Sequence, residues 1–456
     1  MIKMKIASVL VLPLSGYAFS VHATQVFDLE GYGAISRAMG GTSSSYYTGN
    51  AALISNPATL SLAPDGSQFE LGLDIVSTDI EVRDSSGAKV KSSTESNNRG
   101  PYIGPQLSYV TQLDDWRFGA GLFVSSGLGT EYGSNSFLSQ TENGTQTSFD
   151  NSSRLIVLRA PVGFSYQVTP QLTVGASADL VWTSLNLELL LPSSQVGALA
   201  AQGNLSGDLV APLAGFVGAG GAAHFSLSRN NPVGGAVDAI GWGGRLGLTY
   251  KLTDKTVLGA MYNFKTSVGD LEGTATLSAI SGDGAVLPLH GDIRVKDFEM
   301  PASLTFGFAH QFNERWLVAA DVKRVYWSDV MEDISVDFKS QSGGIDIELP
   351  HNYQDITVAS IGTAYRVNDK LTLRAGYSYA QQALDSRLIL PVIPAYLKKH
   401  VSLGSDYSFD KKSKLNLAIS FGLKESLNTP SYLSGTETLK QSHSQINAVV
   451  SYSKSF

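Results

Sequence analysis

The sequence predicts an all-β fold: a 14-stranded antiparallel transmembrane β-barrel with a small N-terminal plug, or hatch, inside its lumen. Three observations carry that prediction. Segments of about ten or more residues alternate apolar and polar side chains along most of the chain. Six tight connections alternate with seven long ones, the rhythm of short periplasmic turns and long outer loops. One stretch of 45 residues, 24–68, lacks the alternation altogether.

Residues 1–23 read as a signal peptide. Lys3 and Lys5 form the charged start, Ile6 to Phe19 the apolar run, and Val21-His22-Ala23 the small-residue cleavage site. The mature chain is expected to start at Thr24 and to be exported. Past the leader no window supplies the roughly 20 apolar residues of a membrane helix, so the membrane is crossed by strands.

The expected domains are 1–23 signal peptide, 24–68 plug and 69–456 barrel. The strands are placed at 69–83, 102–113, 116–125, 153–168, 171–188, 237–252, 255–268, 299–312, 315–327, 353–367, 370–381, 398–409, 413–425 and 443–455. Their faces separate cleanly. Ile240, Trp242, Leu246, Leu248, Tyr250 and Leu252 oppose Gly241, Gly243, Arg245, Gly247, Thr249 and Lys251. The tight turns are Asp114-Asp115, Thr169-Pro170, Thr253-Asp254, Asn313-Glu314, Asn368-Asp369 and Asp410-Lys411-Lys412. An even strand number puts both termini on the periplasmic side.

A barrel of fourteen strands lies between one that side chains fill and one that leaves an aqueous channel. Residues 24–68 are the natural stopper, and the inward Gly241, Gly243, Gly247, Gly307 and Gly376 would leave room for it. Asp179, Arg245, Asp321, Lys323, Arg374 and Asp406 also point inward, where they would anchor the plug or balance the lumen. Outside, the connection 189–236 is apolar where an exposed loop should be polar. It carries Leu189, Leu190, Leu191, Val196, Leu199, Leu209 and Phe216, a self-packed lid or a landing site for a greasy ligand. Ser193 is a candidate cap for a short helix running to about Gly203.

Composition narrows the classes. The net charge is −7 and no basic stripe exists, so nucleic acid is not an expected partner. Zero cysteines excludes a disulfide framework and thiolate metal sites. No Gly-x-Ser-x-Gly or His-Glu-x-x-His motif occurs and the histidines are scattered, so no enzyme, cofactor or metal is expected. His400 falls on the inward parity as a lumen hydrogen-bonding group. A general porin is a further alternative that the plug argues against; a siderophore-type receptor has about 22 strands.

The order of several segments resembles the outer-membrane hydrophobic-compound transport family of the FadL/TodX type, above all its toluene-pathway, aromatic-hydrocarbon branch. These are Ser36-Arg-Ala-Met-Gly-Gly41 with Asn56-Pro57-Ala58, Ser126-Gly-Leu-Gly-Thr-Glu-Tyr132, Met300-Pro-Ala-Ser-Leu304, Tyr326-Trp327-Ser328 and Arg374-Ala-Gly-Tyr377. The resemblance implies passive uptake of monoaromatic hydrocarbons such as toluene across the bacterial outer membrane. Long-chain fatty acids, another substrate class of the family, are the alternative. It further implies capture by an outer-loop groove and a pocket entered by the mature N-terminus (Thr24, Gln25, Val26 and Phe27). Asn56, Pro57 and Ala58 would gate passage, although Asn before Pro is ordinarily just a turn. A kink in the third strand, with Gly127 as its candidate, would let ligand leave sideways into membrane lipid. The protein is expected to act as a monomer.

Overall fold

The computed structural model describes residues 26–93, 101–227, 234–330, 333–430 and 438–456. The leader, Thr24 and Gln25 lie outside the described residues. Among those described, no helix is long and apolar enough to cross a membrane.

The backbone forms one closed antiparallel barrel. Hydrogen-bonded pairing runs from Ser67–Arg83 through Tyr102–Leu113, Trp116–Gly133, Asn151–Gln167, Leu172–Pro192, Val237–Thr253 and Thr256–Asn263. It continues through Ser303–Asn313, Trp316–Val325, Ile356–Arg366, Leu371–Ala380, Lys399–Ser408, Ser413–Pro430 and Thr438–Ser455. The last strand then pairs with the first, from Gln68 opposite Ser455 to Arg83 opposite Lys440. Joining the last strand to the first closes the sheet, the condition for strands to stand in hydrocarbon.

Among the described residues the sheet holds 22 strand segments where fourteen strands were expected. The difference lies in the long connections, expected as loops, several of which are hairpins. Leu271–Ile280 pairs with Val286–Val295, and Asp333–Ser340 with Gly343–Pro350. Lys89–Ser93 folds back on Ser67–Arg83. Strands also run past their expected ends, Trp116–Gly133 by eight residues and Leu172–Pro192 by four. Along these extensions residues of both faces are largely buried against protein, so the alternation fades.

The alternation does set the wall's faces. Ile240, Trp242, Leu246 and Leu252 are each more than half exposed, while Arg245 and Thr249 on the same strand are buried. Toward the tight-turn end the exposed residues become aromatic. Trp116 stacks on Phe118 at 5.8 Å, Phe312 lies 5.1 Å from Trp316, and Tyr407 meets Phe409 edge-on at 5.4 Å. Such a girdle marks the membrane interface.

Residues 26–61 are mostly buried, with Met39, Ser43, Ser44 and Asn56 in contact with the wall. Their helix Gly33–Ala38 and 3-10 turns Ala51–Ile54 and Pro57–Leu62 are almost wholly buried. Three of the five inward glycines make the room expected of them. A Cβ on Gly247 would strike the Asn56 side chain, one on Gly307 would strike Ser44, and one on Gly376 would strike Met39 and Gly40. Gly241 and Gly243 serve other neighbours, the Ser267–Val268 strand and Arg159. Of the inward charges, Asp321 anchors the segment. It accepts from Ser43 N at 2.8 Å, Ser44 N at 3.1 Å and Ser44 Oγ at 2.6 Å. Asp179 balances Arg159 at 3.0 Å and Arg245 at 2.5 Å, and Arg374 pairs with Asp406.

A charge on the outer wall therefore tests membrane placement. Ile361 is 52% exposed in the middle of Ile356–Arg366. Ile361→Arg is expected to cost about 2–4 kcal/mol of folding free energy in phospholipid vesicles, read by urea titration against wild type.

Candidate functional site

The site begins where the wall's pairing stops. Tyr102–Leu113 and Trp116–Gly133 pair from Leu113 opposite Trp116 up to Gln106 opposite Phe123, and no further. Both strands continue. Tyr102 to Pro105 stay on Ser67–Arg83, and Ser126 to Gly133 stay on Asn151–Gln167. Two local features separate them. Ser125 is an extra residue in the ladder, where the register slips between Val124 and Ser126, and a bulge bends its strand away. On the other side Pro105 has no N–H to donate, and Gly104 leaves space filled by Val124.

The freed edge is taken by the N-terminal segment. Leu29 N donates to Ser125 O at 3.2 Å and Gly127 N to Phe27 O at 2.9 Å. Ser126 Oγ donates to Asp28 at 2.8 Å. Gly127, the expected kink, is thus next to the irregularity and a partner of the N-terminal strand. Its φ is not positive, and a Cβ there would meet only Leu155 O at 3.4 Å. Across the gap the Tyr102 ring lies over Gly129, where any Cβ would collide with it.

Behind this edge is a cavity of about 460 Å³, within the range of small-molecule sites. Val26 and Phe27 line it on the N-terminal side, Tyr102 and Val124 at the gap, and Leu155 and Ile156 on the strand paired next to it. Phe27 packs among Phe298, Trp327 and Tyr353, with ring centroids 6.4, 5.6 and 6.3 Å away.

A second cavity, of about 260 Å³, lies among the outer connections. The helices Ser193–Ala201 and Val210–Val217 cover it, and Leu277, Ala279, Ile345 and Ile347 of the outer hairpins close it. Of the seven residues singled out in the connection 189–236, Leu191, Val196 and Leu199 line it. The other four residues support the lid. Leu189 packs with Ile80 and Tyr132, Leu190 with Ala222 and Ile280, while Leu209 and Phe216 join the main cluster. Ser193 is not the helix cap. Pro192 takes the N-cap position, and Ser193 Oγ accepts from Gly220 N at 3.1 Å instead.

Asn56, Pro57 and Ala58 form a joint between segment and wall. Asn56 Oδ1 accepts from Ala58 N at 3.1 Å, capping Pro57–Leu62. Its Nδ2 donates to Ser44 O at 2.6 Å and approaches the wall carbonyls of Leu248 and Ala260 at 3.3 and 3.4 Å.

Sequence reasoning missed a buried charge network. Arg37, fully buried, pairs with Glu30 at 3.4 Å and with Asp74 of the wall at 2.8 Å. Glu30 in turn accepts from Asn447 at 3.0 Å and from Ser420. Burial alone would raise the Glu30 pKa. Arg37, with His400, Asn447 and Ser420, overcomes that and holds the carboxyl down at about 2. Arg37 stands inside Ser36-Arg-Ala-Met-Gly-Gly41, which was the available signal.

A lipid-facing barrel with an inner cavity, an apolar outer cavity and an unpaired stretch of wall defines an outer-membrane channel. The chain belongs to the outer membrane protein transport protein family (OMPP1/FadL/TodX), whose model matches residues 13–451. It is similar to the P. putida toluene transporter TodX, with 80% identity, 94% of this chain and 99% of that chain covered, and a TM-score of 0.87. The Ralstonia pickettii toluene transporter TbuX is 45% identical over 94% of this chain and 99% of its own, with a TM-score of 0.80. Outer membrane protein P1 of Haemophilus influenzae is 22% identical over 391 residues, 82% of this chain and 80% of that protein. The protein is placed in the bacterial outer membrane.

Arg37→Ala strands two buried carboxylates and is expected to cost about 3–5 kcal/mol, measured as a lower thermal midpoint in detergent. The depressed Glu30 carboxyl gives its contribution in full above its ordinary value of 4.5 and loses it as pH falls through about 2. The stability gap between wild type and Glu30→Gln should therefore hold from pH 7 to about 4.5 and close toward pH 2.

Proposed function

We propose that this protein admits monoaromatic hydrocarbons such as toluene across the outer membrane by diffusion, without chemistry on the solute. Capture takes place at the outer cavity, followed by transfer to the inner cavity and exit sideways between Tyr102–Leu113 and Trp116–Gly133. Residues 24–68, once the leader 1–23 is removed, act as the hatch of the barrel 69–456. Thr24, Gln25, Val26 and Phe27 form the pocket side of that hatch, and Asn56, Pro57 and Ala58 its movable joint.

The observation that carries this reading is the contact between cavity and gap. Tyr102, Ile103, Gly104 and Val124, which bound the unpaired stretch, are themselves cavity lining. A solute there is one side chain from lipid. Upstream, one contiguous apolar cluster joins Leu213, Val217 and Leu277 of the outer cavity to Val26, Phe27 and Leu155 of the inner one. Burying an aromatic ring's 150–250 Å² gives roughly 4–6 kcal/mol of gross attraction. The losses of association reduce it, leaving capture weak enough for release. The closed ring needs no second copy, which supports a monomer facing lipid on all sides.

Charge favours a neutral ring over a fatty acid. Asp28, Glu30 and Asp74 line the inner cavity, against the single lining arginine, Arg154, whose guanidinium donates to Gly234 O at 2.8 Å. Arg37 is committed to Glu30 and Asp74 and Arg154 to Gly234 O, so a ligand carboxylate would find these cationic partners already engaged. In competition binding to detergent-purified protein, unlabelled toluene is expected to displace radiolabelled toluene at concentrations where oleate does not. Equal displacement by oleate would reverse the preference.

Replacing both Asn56 and Pro57 by Ala removes the cap and the ties to Ser44, Leu248 and Ala260. Toluene-limited growth of cells carrying this variant should slow several-fold, while heat-modifiable gel migration shows the barrel assembled. Undiminished growth would remove the joint from the route.

A further inference from the structure

His443 lies on the Thr438–Ser455 strand and lines the inner cavity beside Pro394, Ala395 and Gln445. Its ring is held on two sides. Nδ1 is 2.9 Å from the Pro394 carbonyl oxygen, and Tyr396 meets the ring edge-on at 5.7 Å. A carbonyl oxygen only accepts, so Nδ1 carries the hydrogen and Nε2 of the neutral ring keeps a lone pair. Nε2 is buried and has no hydrogen-bond partner among the described residues. An apolar side chain would line the cavity without leaving such an acceptor unmet.

The carboxylates nearest the N-terminal segment are already engaged. Glu30 is held by Arg37, Ser420 and Asn447, and Asp28 accepts from Ser126. His400 also lines the cavity, and its Nε2 is likewise buried without a hydrogen-bond partner among the described residues, 3.2 Å from where a Cβ on Gly422 would stand. His443 differs in that its Nδ1 is tied to a carbonyl oxygen, which fixes Nε2 as an acceptor.

We propose that His443 Nε2 accepts the hydroxyl hydrogen of a monoaromatic alcohol or phenol, so that the inner cavity takes hydroxylated monoaromatics as well as hydrocarbons. The proposal rests on the inner cavity being the ligand site. It has a definite polarity. A lone pair meets an O–H donor, gains nothing from an ether or a hydrocarbon, and repels a carboxylate. The aromatic ring of such a ligand would lie against Val26, Phe27, Leu155 and Ile156, as toluene would.

The test is competition against radiolabelled toluene on the detergent-purified full chain, with benzyl alcohol and benzyl methyl ether as probes. The two share a ring and an oxygen, and only the alcohol has an O–H. Each competing concentration is corrected for partition into the micelle. Wild type is expected to favour the alcohol by about two- to tenfold, the range one net hydrogen bond gives. His443→Phe should bring the alcohol-to-ether ratio to about one, and His443→Gln, which keeps an acceptor, should restore part of it. A wild-type ratio of one, or an advantage that survives His443→Phe, overturns the proposal. The wild-type comparison decides even where a variant fails to fold. Absence of toluene binding to wild type overturns the inner-cavity reading itself, a result distinct from an unchanged ratio.

Discussion

In hydrocarbon no backbone N–H or C=O can be left without a partner, and this constraint governs the whole molecule. It requires the first and last strands to meet, as they do from Gln68–Ser455 to Arg83–Lys440. It also makes any break in the ladder informative. The break beyond Gln106 and Phe123 persists because substitutes are present. The N-terminal strand supplies Phe27 O and Leu29 N to Gly127 and Ser125, Pro105 has no N–H to satisfy, and the Tyr102 ring covers Gly129. Wall and N-terminal segment are therefore one hydrogen-bonded system. Whatever moves residues 27–29 must also leave bonds of the Trp116–Gly133 strand unmade.

The same coupling continues deeper in the lumen. Glu30 follows the edge-pairing residues directly and is tied to Arg37, and through Arg37 to Asp74 on the first strand. Asp321 holds Ser43 and Ser44, and Ser44 O holds Asn56. Each anchor is short in sequence from the next, and each ends on a different part of the wall. The segment is thus fixed at several points round the ring, while its first described residues, Val26 and Phe27, are held mainly by apolar and aromatic contact. Apolar contact is non-directional, so this end has the fewest bonds to break.

Legibility in the sequence followed the physics of each part. The lipid-facing wall was readable because lipid outside and polar groups inside impose period two on every strand, as Ile240 to Leu252 display. The outer hairpins, such as Leu271–Ile280 with Val286–Val295, escaped because above the membrane neither face is reserved for lipid. The segment 24–68 stood out by its lack of alternation, and Gly247, Gly307 and Gly376 by parity. The wall break was placed only approximately. Pairing is a property of two strands, and the bulge at Ser125 has no residue signature, although Gly104-Pro105 opposite it was one. The Glu30–Arg37–Asp74 network joins residues up to 44 positions apart, and no local pattern encodes such a contact.

The two cavities differ in polarity. The outer one is walled almost entirely by leucine, valine, alanine and isoleucine, so it offers burial and little else. The inner one adds carboxylates, imidazoles and an amide to its apolar wall, which makes it a poorer solvent for a plain hydrocarbon than for a ring bearing a polar group. A hydrocarbon therefore gains most from the outer cavity and, once inside, finds the bilayer across the Tyr102 gap a better medium than the lumen. Release into lipid then needs no energy source. Along the proposed route net flow follows the concentration difference across the membrane, and the cavities set only how long a solute dwells in each.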